Sequence, residues 1–506
     1  AISNVKGLSS NDNTRSFTFD YVLKDSDNPE TNSLSVVIRE TLANNYIKDI
    51  RIVMPGGTCR NNADDRYNPF IRVNSQSECP ENTTYVSFAE RLKENRNEII
   101  FNPDYLLFLR NFKVVRMMNL MEASHATHNC MNGTVLDEAC MQKETTWDKR
   151  AKMDHAVWGG NDGRTQHHDR NGVPVEVVIK LANILKRDIW LNMPHAATDD
   201  YITEIAQSFY AGLDSNIKIY LEYSNEVWNN GFLGHHYAEK KGFDAGMDKD
   251  IPDISSNRDE EYFARLRYYS YRSVKIFKLW EAEFASTDRF IRVLGTSQGD
   301  TVLSDQMIKY INKSYDGKQV DAIAMAPYFF GCVEKKGSCE DAPKTLLTAT
   351  TTDDVFDILN QPYKENGNVI DPSALEATIE KIKLQAKVAT KHNLNLLTYE
   401  GGQHYTIMGA MGKESEKEKA RLRTLFKKVN RDPRMKDAYL KLLNAWKEVD
   451  GTTLFTLYTL PQSYYRFGNF GIKEHLNKSR AESPKFDGAM TFQGAVKKCW
   501  WDGCNP

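Results

Sequence analysis

From about residue 48 onward, short apolar runs alternate with longer stretches in which apolar residues recur at helical spacing. Runs of about four to eight residues that are rich in β-branched and aromatic side chains, and that end in polar turns, are typical of buried strands. The pattern predicts eight strands, at 50–54, 112–118, 188–193, 217–223, 290–294, 320–325, 394–398 and 453–458.

The stretches between these runs predict amphipathic helices. They cover 102–110, 174–185, 199–213, 260–284, 302–311, 372–391 and 414–448, the last interrupted at Arg431-Asp-Pro433. Several begin with proline or an aspartate cap, as helix N-termini commonly do. Eight strands separated by helices match a closed (β/α)8 barrel, the TIM barrel, better than an open doubly wound sheet. We therefore predict an α/β chain built on a TIM barrel.

The pattern also predicts three regions along the chain. Residues 1–45 contain two β-rich runs, at 16–23 and 34–39, around a polar turn and are expected to form a small β appendage. Residues 46–490 form the barrel, and 491–506 form a C-terminal tail closed by a disulfide. Long polar segments follow the first, second, fourth and sixth strands, so long strand-to-helix loops should wall a cleft at one face of the barrel.

Composition removes several function classes from consideration. The chain has 506 residues, 41% of them hydrophobic, and a formal charge of −2, which argues against a nucleic-acid partner. No glycine-rich phosphate-binding motif follows a predicted strand, which disfavours nucleotide binding. No apolar stretch approaches the ~18 residues that cross a bilayer, so no membrane span is expected. We expect a monomer.

The eight cysteines fall into four close sequence pairs, and each pair brackets a polar loop. Closing a short loop costs the least chain entropy, so we expect disulfides between neighbours, although eight cysteines also permit other pairings or free thiols. No pair has the Cys-x-x-Cys spacing of a zinc site. Disulfides indicate an exported protein, secreted or periplasmic. The predicted pairs are Cys59 with Cys79, Cys130 with Cys140, Cys332 with Cys339, and Cys499 with Cys504.

Two predicted strands end in carboxylates. The fourth runs into Asn225-Glu226, and the seventh runs into Glu400 followed by two glycines. The C-terminal strand ends of a barrel carry its chemistry, so the two glutamates should face each other across the mouth. Such a pair suits hydrolysis of a glycosidic bond, because one carboxyl can protonate the leaving oxygen while the other attacks the anomeric carbon.

These strand ends resemble the retaining glycoside hydrolases of clan A, the 4/7 superfamily. The resemblance covers about residues 48–485, is strongest at Leu221-Glu-Tyr-Ser-Asn-Glu-Val-Trp-Asn229, and points to a less characterised branch. It implies that Glu226 is the acid/base, that Glu400 is the nucleophile and that Asn225 holds the 2-hydroxyl of the substrate. It further implies cleavage of a β-linked oligo- or polysaccharide by double displacement.

The resemblance extends to supporting positions. Arg116, near the end of the second strand, matches an arginine that pairs with the nucleophile and keeps it ionised. His195 matches a polar residue beside the acid/base, and Tyr328 matches a residue that touches the nucleophile. The eighth strand departs from the pattern, because Tyr458 stands where the clan frequently has a tryptophan under the sugar. Trp228, Trp158 and Tyr464 are further candidates for that stacking role.

Each assignment has an alternative. Arg116 can be a structural ion-pair partner, His195 an ordinary hydrogen-bonded histidine, and Tyr328 a residue of the barrel rim. The run Gln166-His-His-Asp169 suggests a metal site, but adjacent histidines cannot both point inward from one strand face. We expect neither a metal nor an organic cofactor. The rival functions are a noncatalytic carbohydrate-binding barrel and, less favoured, a metal-dependent hydrolase.

Overall fold

The structure, a computed structural model, describes residues 2–11, 14–21, 44, 53–155, 158, 172–252, 258–329, 346–407, 415–465 and 468–495. Within these ranges, no helix is both long enough and apolar enough to span a membrane. The cysteine pairs 332/339 and 499/504, the run 166–169 and the predicted strand 34–39 lie outside the described residues.

The described residues form strands and helices in alternation along most of the chain. The strands are β1 Ile2–Asn11, β2 Thr14–Tyr21, β3 Gly57–Asn61, β4 Thr83–Ser87, β5 Val114–Arg116, β6 Met131–Asn132, β7 Val135–Leu136, β8 Asp188–Met193, β9 Ile219–Tyr223, β10 Phe290–Gly295, β11 Ala322–Met325, β12 Tyr328–Phe329, β13 Tyr363–Glu365, β14 Asn368–Asp371, β15 Asn395–Thr398 and β16 Gly402–Gln403. The helices are α1 Phe88–Glu94, α2 Pro103–Leu109, α3 Glu138–Met141, α4 Val175–Leu185, α5 Asp199–Gly212, α6 Leu233–Asp244, α7 Glu260–Phe284, α8 Thr301–Ser314, α9 Thr352–Asn360, α10 Ala374–Lys391, α11 Glu416–Arg431, α12 Arg434–Glu448 and α13 Pro484–Ala495.

Several helices begin at polar caps that the sequence contains. Asp259 accepts a hydrogen bond from the backbone N–H of Tyr262 and caps the long helix α7. Ser373 and Glu376 form a reciprocal capping box at the start of α10. Such caps satisfy backbone donors that have no partner within the helix, and they fix where each helix starts.

A six-stranded parallel sheet lies at the centre of the fold, with strand order β15-β11-β10-β9-β8-β5. These strands confirm the predicted second to seventh strands. Of the predicted first strand, residues 50–52 lie outside the described residues and 53–54 form no strand. The predicted eighth strand, 453–458, is not a regular strand: Thr452, just before it, makes an isolated parallel bridge with Leu396, and Thr453 and Leu454 make single backbone hydrogen bonds to Leu396 and Thr398. Further along, the backbone N–H of Thr456 donates to the Thr398 hydroxyl, so a side chain interrupts the regular ladder.

The central sheet curls until its two ends approach each other. Strands β5 and β15 stand at opposite ends of the strand order, and five spacings of ~4.8 Å would separate them by about 24 Å in a flat sheet. Yet Nη1 of Arg116, at the end of β5, lies 2.8 Å from Oε1 of Glu400, two residues beyond β15. The C-terminal ends of distant strands therefore meet at one place.

Alternation along each strand separates two apolar cores. On β9, Ile219, Leu221 and Tyr223 pack in the large core between the sheet and the surrounding helices. Tyr220, on the opposite face, packs in a smaller core enclosed by the curled sheet. Glu222 shares that enclosed face, because side chains two residues apart on a strand point the same way. A carboxylate is thus held inside the curl of the sheet.

The described residues also include a short hairpin and two disulfide bridges. Strands β1 and β2 pair in antiparallel fashion, with Asn11 opposite Thr14. Disulfides join Cys59 to Cys79 and Cys130 to Cys140, with Cα–Cα separations of 5.6 and 5.5 Å, as the sequence pairing predicts. Both bridges lie in the long segments that follow the predicted first and second strands. The division into appendage, barrel and tail stays a prediction.

Candidate active site

The end of β9 turns sharply before Glu226. Ser224 and Glu226 both have positive φ, 60° and 42°, which costs a non-glycine residue ~1 kcal/mol or more. The turn is held in place by hydrogen bonds from β8: Ser224 N–H donates to the Met193 carbonyl, and Asn192 Nδ2 donates to the Ser224 carbonyl. The backbone therefore leaves strand geometry where the predicted acid/base begins.

Glu226 is held by two neutral donors. Asn229 Nδ2 donates to its Oε2 at 2.8 Å, and the Tyr399 hydroxyl donates to its Oε1 at 3.0 Å. Tyr399 is the residue immediately before Glu400. The segment that ends β15 therefore contacts Glu226 directly through one side chain and presents a second carboxylate with the next.

Glu400 is buried, with one donor on each carboxylate oxygen. Arg116 Nη1 donates to Oε1 at 2.8 Å, and the Tyr328 hydroxyl donates to Oε2 at 2.8 Å. Tyr328 lies on β12, which pairs with β16 just after Glu400. The structure therefore brings Arg116 and Tyr328 into direct contact with the predicted nucleophile.

The second amino group of Arg116 connects two further residues. Nη2 donates to Oε2 of Glu222 at 3.1 Å and to Oδ1 of Asn225 at 2.9 Å. Asn225 is thus oriented by the same guanidinium that holds Glu400. Glu222 is a third buried carboxylate, to which the sequence analysis assigned no role.

Burial and charge shift the titration of the two glutamates. Burial, followed by the negative charge of Glu400, raises the pKa of Glu226 to about 7, against the opposing effect of its donors Asn229 and Tyr399. Burial also raises the pKa of Glu400, and Arg116 and Tyr328 oppose that shift. Arg116 lowers the pKa of Glu400, as the expected pairing implies, but burial outweighs this cation, which is shared with Glu222, and the net shift of the Glu400 pKa is upward. Glu400 still ionises first, since it contacts a cation while Glu226 contacts neutral donors.

An aromatic cluster lies against Glu400. The Tyr328 ring lies 4.9 Å from His404 and 6.3 Å from Tyr458, and Phe470 lies 5.1 Å from His404 and 5.2 Å from Tyr458, between ring centroids. All four side chains are partly exposed. Tyr458 therefore lies at the site, in a segment whose N–H donates to the Gly401 carbonyl. Phe470 was missed, because it lies in a loop with no periodic pattern.

The structure places His195 and Trp228 differently from the other predicted residues. His195 is buried, its Nε2 lies 3.2 Å from the Met141 carbonyl, and its ring packs edge-on against Tyr237. Burial lowers its pKa to about 4. None of its contacts among the described residues is with either candidate carboxylate. Trp228 is half-buried and packs against the large core, so its stacking role stays a prediction.

Besides Phe470, sequence reasoning missed four site residues: Trp190, Asn192, Glu222 and Tyr399. Trp190 Nε1 and Asn192 Nδ2 donate to Glu222 at 2.8 and 2.7 Å. Alternation was the available signal for the first three, since Trp190 and Asn192 are two apart on β8 and pair with Tyr220 and Glu222 on β9. Continuing the alternation of inward-facing positions along β8 and β9 would have identified these three residues as inward-facing.

The part of the chain that the structure describes contains no group of three or more His, Cys, Asp or Glu side chains arranged to hold a metal ion. The run 166–169 lies outside that part. A metal role for that run therefore stays untested.

No protein-family model and no curated protein sequence matches the chain.

Among solved structures, the chain is similar to a modular endo-β-1,4-mannanase from Cellulomonas fimi, with 11% identity over 66% of this chain and 59% of that chain and a TM-score of 0.32. It is also similar to a GH53 catalytic domain from Ignisphaera aggregans, with 11% identity, 76% and 96% covered, and a TM-score of 0.34. A Bacteroidetes-affiliated GH5 cellulase gives 11% identity, 80% and 95% covered, and a TM-score of 0.32. The chain thus spans less than two thirds of the mannanase. At these identities and TM-scores, the similarities assign no activity, substrate or site residue to this chain.

Proposed function

We propose that this protein is a retaining glycoside hydrolase that cleaves β-linked oligo- or polysaccharides. The observation that carries the proposal is the unequal environment of two carboxyl groups at one rim of the sheet. Glu400 accepts hydrogen bonds from a guanidinium and a phenol, whereas Glu226 has neutral donors and a pKa raised to about 7. One group is suited to react as an anion and the other to donate a proton.

The first step forms a covalent glycosyl-enzyme. A Glu400 oxygen attacks the anomeric carbon, the bond from that carbon to the leaving oxygen breaks, and the proton of Glu226 passes to that oxygen. The carboxyls of Glu222 and Glu400, which are buried, and of Glu226, which is half-buried, face one hydrogen-bonded cation, Arg116, among the described residues. Retaining a proton on Glu226 limits the net negative charge in this enclosed space, which makes Glu226 the acid.

The second step releases the sugar. Once Glu400 is esterified it no longer carries a negative charge, and the main repulsion that raises the pKa of Glu226 disappears. Glu226, now ionised, removes a proton from water, and the oxygen of that water attacks the anomeric carbon and displaces the Glu400 carboxylate. The same residue thereby serves as acid and then as base.

Neighbouring side chains have supporting roles in this proposal. Asn225, oriented by Arg116, binds the sugar 2-hydroxyl. Tyr328 holds the nucleophile, and Tyr458 with the aromatic cluster contacts the sugar ring. The proposal includes a completed (β/α)8 barrel, a monomer, and a secreted or periplasmic location, which the two disulfides support.

Isosteric variants test the assignment. Glu400→Gln should lose activity on every glycoside. Glu226→Gln should lose ~10²–10⁴-fold on a natural linkage, the range for a general acid, but much less on the formation of the covalent intermediate from a glycoside with an activated leaving group. Glu380→Gln is the surface control, since this side chain pairs with Lys383 on the exposed face of α10. Full activity in both site variants would overturn the mechanism.

Covalent labelling separates this proposal from its rivals. A 2-fluoro glycoside with a good leaving group should add one sugar mass to the protein, on the peptide that contains Glu400. Absence of both turnover and adduct would make the chain a noncatalytic carbohydrate-binding barrel. Loss of activity with a chelator, restored by metal, would instead favour a metal-dependent hydrolase.

A further inference from the structure

We propose that Glu222 is a positioning residue, buried beneath the reacting groups, that fixes the Arg116 guanidinium and divides its charge between two carboxylates. The inference rests on the proposed function, because it concerns the ionisation of the nucleophile. It adds a third carboxylate to the site, one that does not contact the substrate.

Glu222 is enclosed and strongly hydrogen bonded. Its side chain is 1% exposed. Oε2 accepts three hydrogen bonds, from Arg116 Nη2 at 3.1 Å, Trp190 Nε1 at 2.8 Å and Asn192 Nδ2 at 2.7 Å. The other oxygen faces Gly295, where a β-carbon would lie 2.8 Å from Oε1. Three donors converging on one buried oxygen are the arrangement that stabilises an anion.

The contacts of Arg116 show what this anion does. Nη1 donates to Glu400 and contacts Met118 Sδ at 3.3 Å, while Nη2 donates to Glu222 and Asn225. Each terminal nitrogen thus has two partners, and the rigid planar fork cannot turn without breaking several contacts. Glu222 anchors the side of the fork that faces away from Glu400.

The charges set a competition for one cation. The titratable groups that face Glu222 are Arg116 from β5, Tyr269 from α7, and Tyr399 and Glu400 from the end of β15. Glu222 raises the pKa of Glu400, in opposition to Arg116. Its negative charge therefore keeps the nucleophile less acidic than Arg116 alone would make it.

The acidic limb of the pH–activity profile reports this competition. Activity needs Glu400 ionised and Glu226 protonated, so kcat/KM falls at low pH with the pKa of Glu400 and at high pH with that of Glu226. Glu222→Gln removes the competing charge and keeps the shape of the side chain. The acidic limb should move to lower pH by about one unit, the lower end of the effect of a charge within ~4–6 Å. The basic limb should stay in place.

Trp190→Phe gives the opposite sign and serves as the second variant. It keeps a ring next to Tyr220 but removes one donor from Glu222, so the remaining anion draws Arg116 away from Glu400. Here the acidic limb should move to higher pH. Trp190→Phe leaves every charge in place. If circular dichroism shows that Glu222→Gln does not fold, the pH profile of Trp190→Phe alone therefore tests the role of Glu222.

The outcomes separate this inference from the proposed function. If Glu400→Gln remains active, the proposed function fails whatever Glu222 does. If Glu400→Gln is inactive and the acidic limb of the folded variants stays where it is in the parent protein, only the role of Glu222 is refuted. Reduced kcat with both limbs unmoved would make Glu222 a packing residue. Opposite shifts in the two variants support the inference.

Discussion

Tyr399→Phe tests the acid/base assignment with a change of one atom. The Tyr399 hydroxyl donates to Glu226 at 3.0 Å and favours its ionised form. The variant keeps the aromatic ring, whose centroid lies 5.1 Å from the Arg116 guanidinium carbon. The substitution therefore removes one hydrogen bond to Glu226 and leaves the surrounding packing in place.

The expected size of the effect follows from that hydrogen bond. A hydrogen bond to a charged group contributes ~1.5–3 kcal/mol, and one pKa unit corresponds to about 1.4 kcal/mol. Asn229 remains as a second donor to Glu226, which favours the lower end of that range. From its value of about 7, the pKa of Glu226 should therefore rise by about one unit. The protonated acid then persists to higher pH, so the basic limb of activity moves upward by the same amount.

The assay is kcat/KM as a function of pH on a natural oligosaccharide, whose leaving group is a sugar hydroxyl that Glu226 must protonate. Tyr220→Phe is the matched control, because its ring lies in the same enclosed core and its hydroxyl makes no hydrogen bond to Glu226 or Glu400 among the described residues. A basic limb that stays at the parent pH, or moves to lower pH, in Tyr399→Phe would refute the assignment of Glu226 as the acid.

Three further predictions concern stability. Arg116→Met should destabilise the fold by ~3–5 kcal/mol in urea denaturation, because it leaves buried carboxylates without their cation; a loss below 1 kcal/mol would contradict the charge pairing. His195 has a pKa of about 4 in the folded protein against 6.5 when free, so as the pH falls from 6.5 to 4 the unfolded chain binds a proton that the folded protein does not, and the free energy of unfolding decreases by about 3 kcal/mol in all. His195→Gln should weaken this pH dependence of the free energy of unfolding; the same pH dependence in the variant and the parent protein would refute the prediction. Replacing both Cys130 and Cys140 by serine should lower the free energy of unfolding by ~3 kcal/mol, measured by thermal unfolding. An unchanged free energy of unfolding would contradict this prediction.

The secondary structure of the central sheet was largely predictable. The second to seventh strands appear where short apolar runs predicted them, since burial on both faces demands continuous apolar residues. Helix α7 has the predicted bounds, and α10 begins two residues later than predicted because Ser373 caps it. The predicted eighth strand forms no regular ladder: Thr453 and Leu454 make single backbone hydrogen bonds to β15, but the N–H of Thr456 donates to the Thr398 hydroxyl, which competes with backbone carbonyls as the acceptor. No apolar pattern records that competition.

The site was predictable in part. Glu226 and Glu400 follow apolar runs directly, so strand ends alone indicate them. Phe470 and Tyr399 carry no comparable signal, since aromatic residues are common both in cores and in loops. The position of His195 is misleading. This residue follows the end of a strand, as the two glutamates do, yet its ring packs against Tyr237, in a small apolar cluster away from the carboxylates. Position along a strand does not fix where the next loop directs its side chains.

The sequence by itself determined the order of strands and helices and the two carboxylates at strand ends, because these depend on neighbours within a few residues. Only the tertiary structure decided their environment. Arg116 and Glu400 are 284 residues apart, and Tyr399 and Glu226 are 173 apart, yet each pair is hydrogen bonded. Those contacts, and the enclosure that raises the pKa of both glutamates, arise from the curl of the sheet. Curl depends on the packing of all strands together, so no single stretch of sequence encodes it.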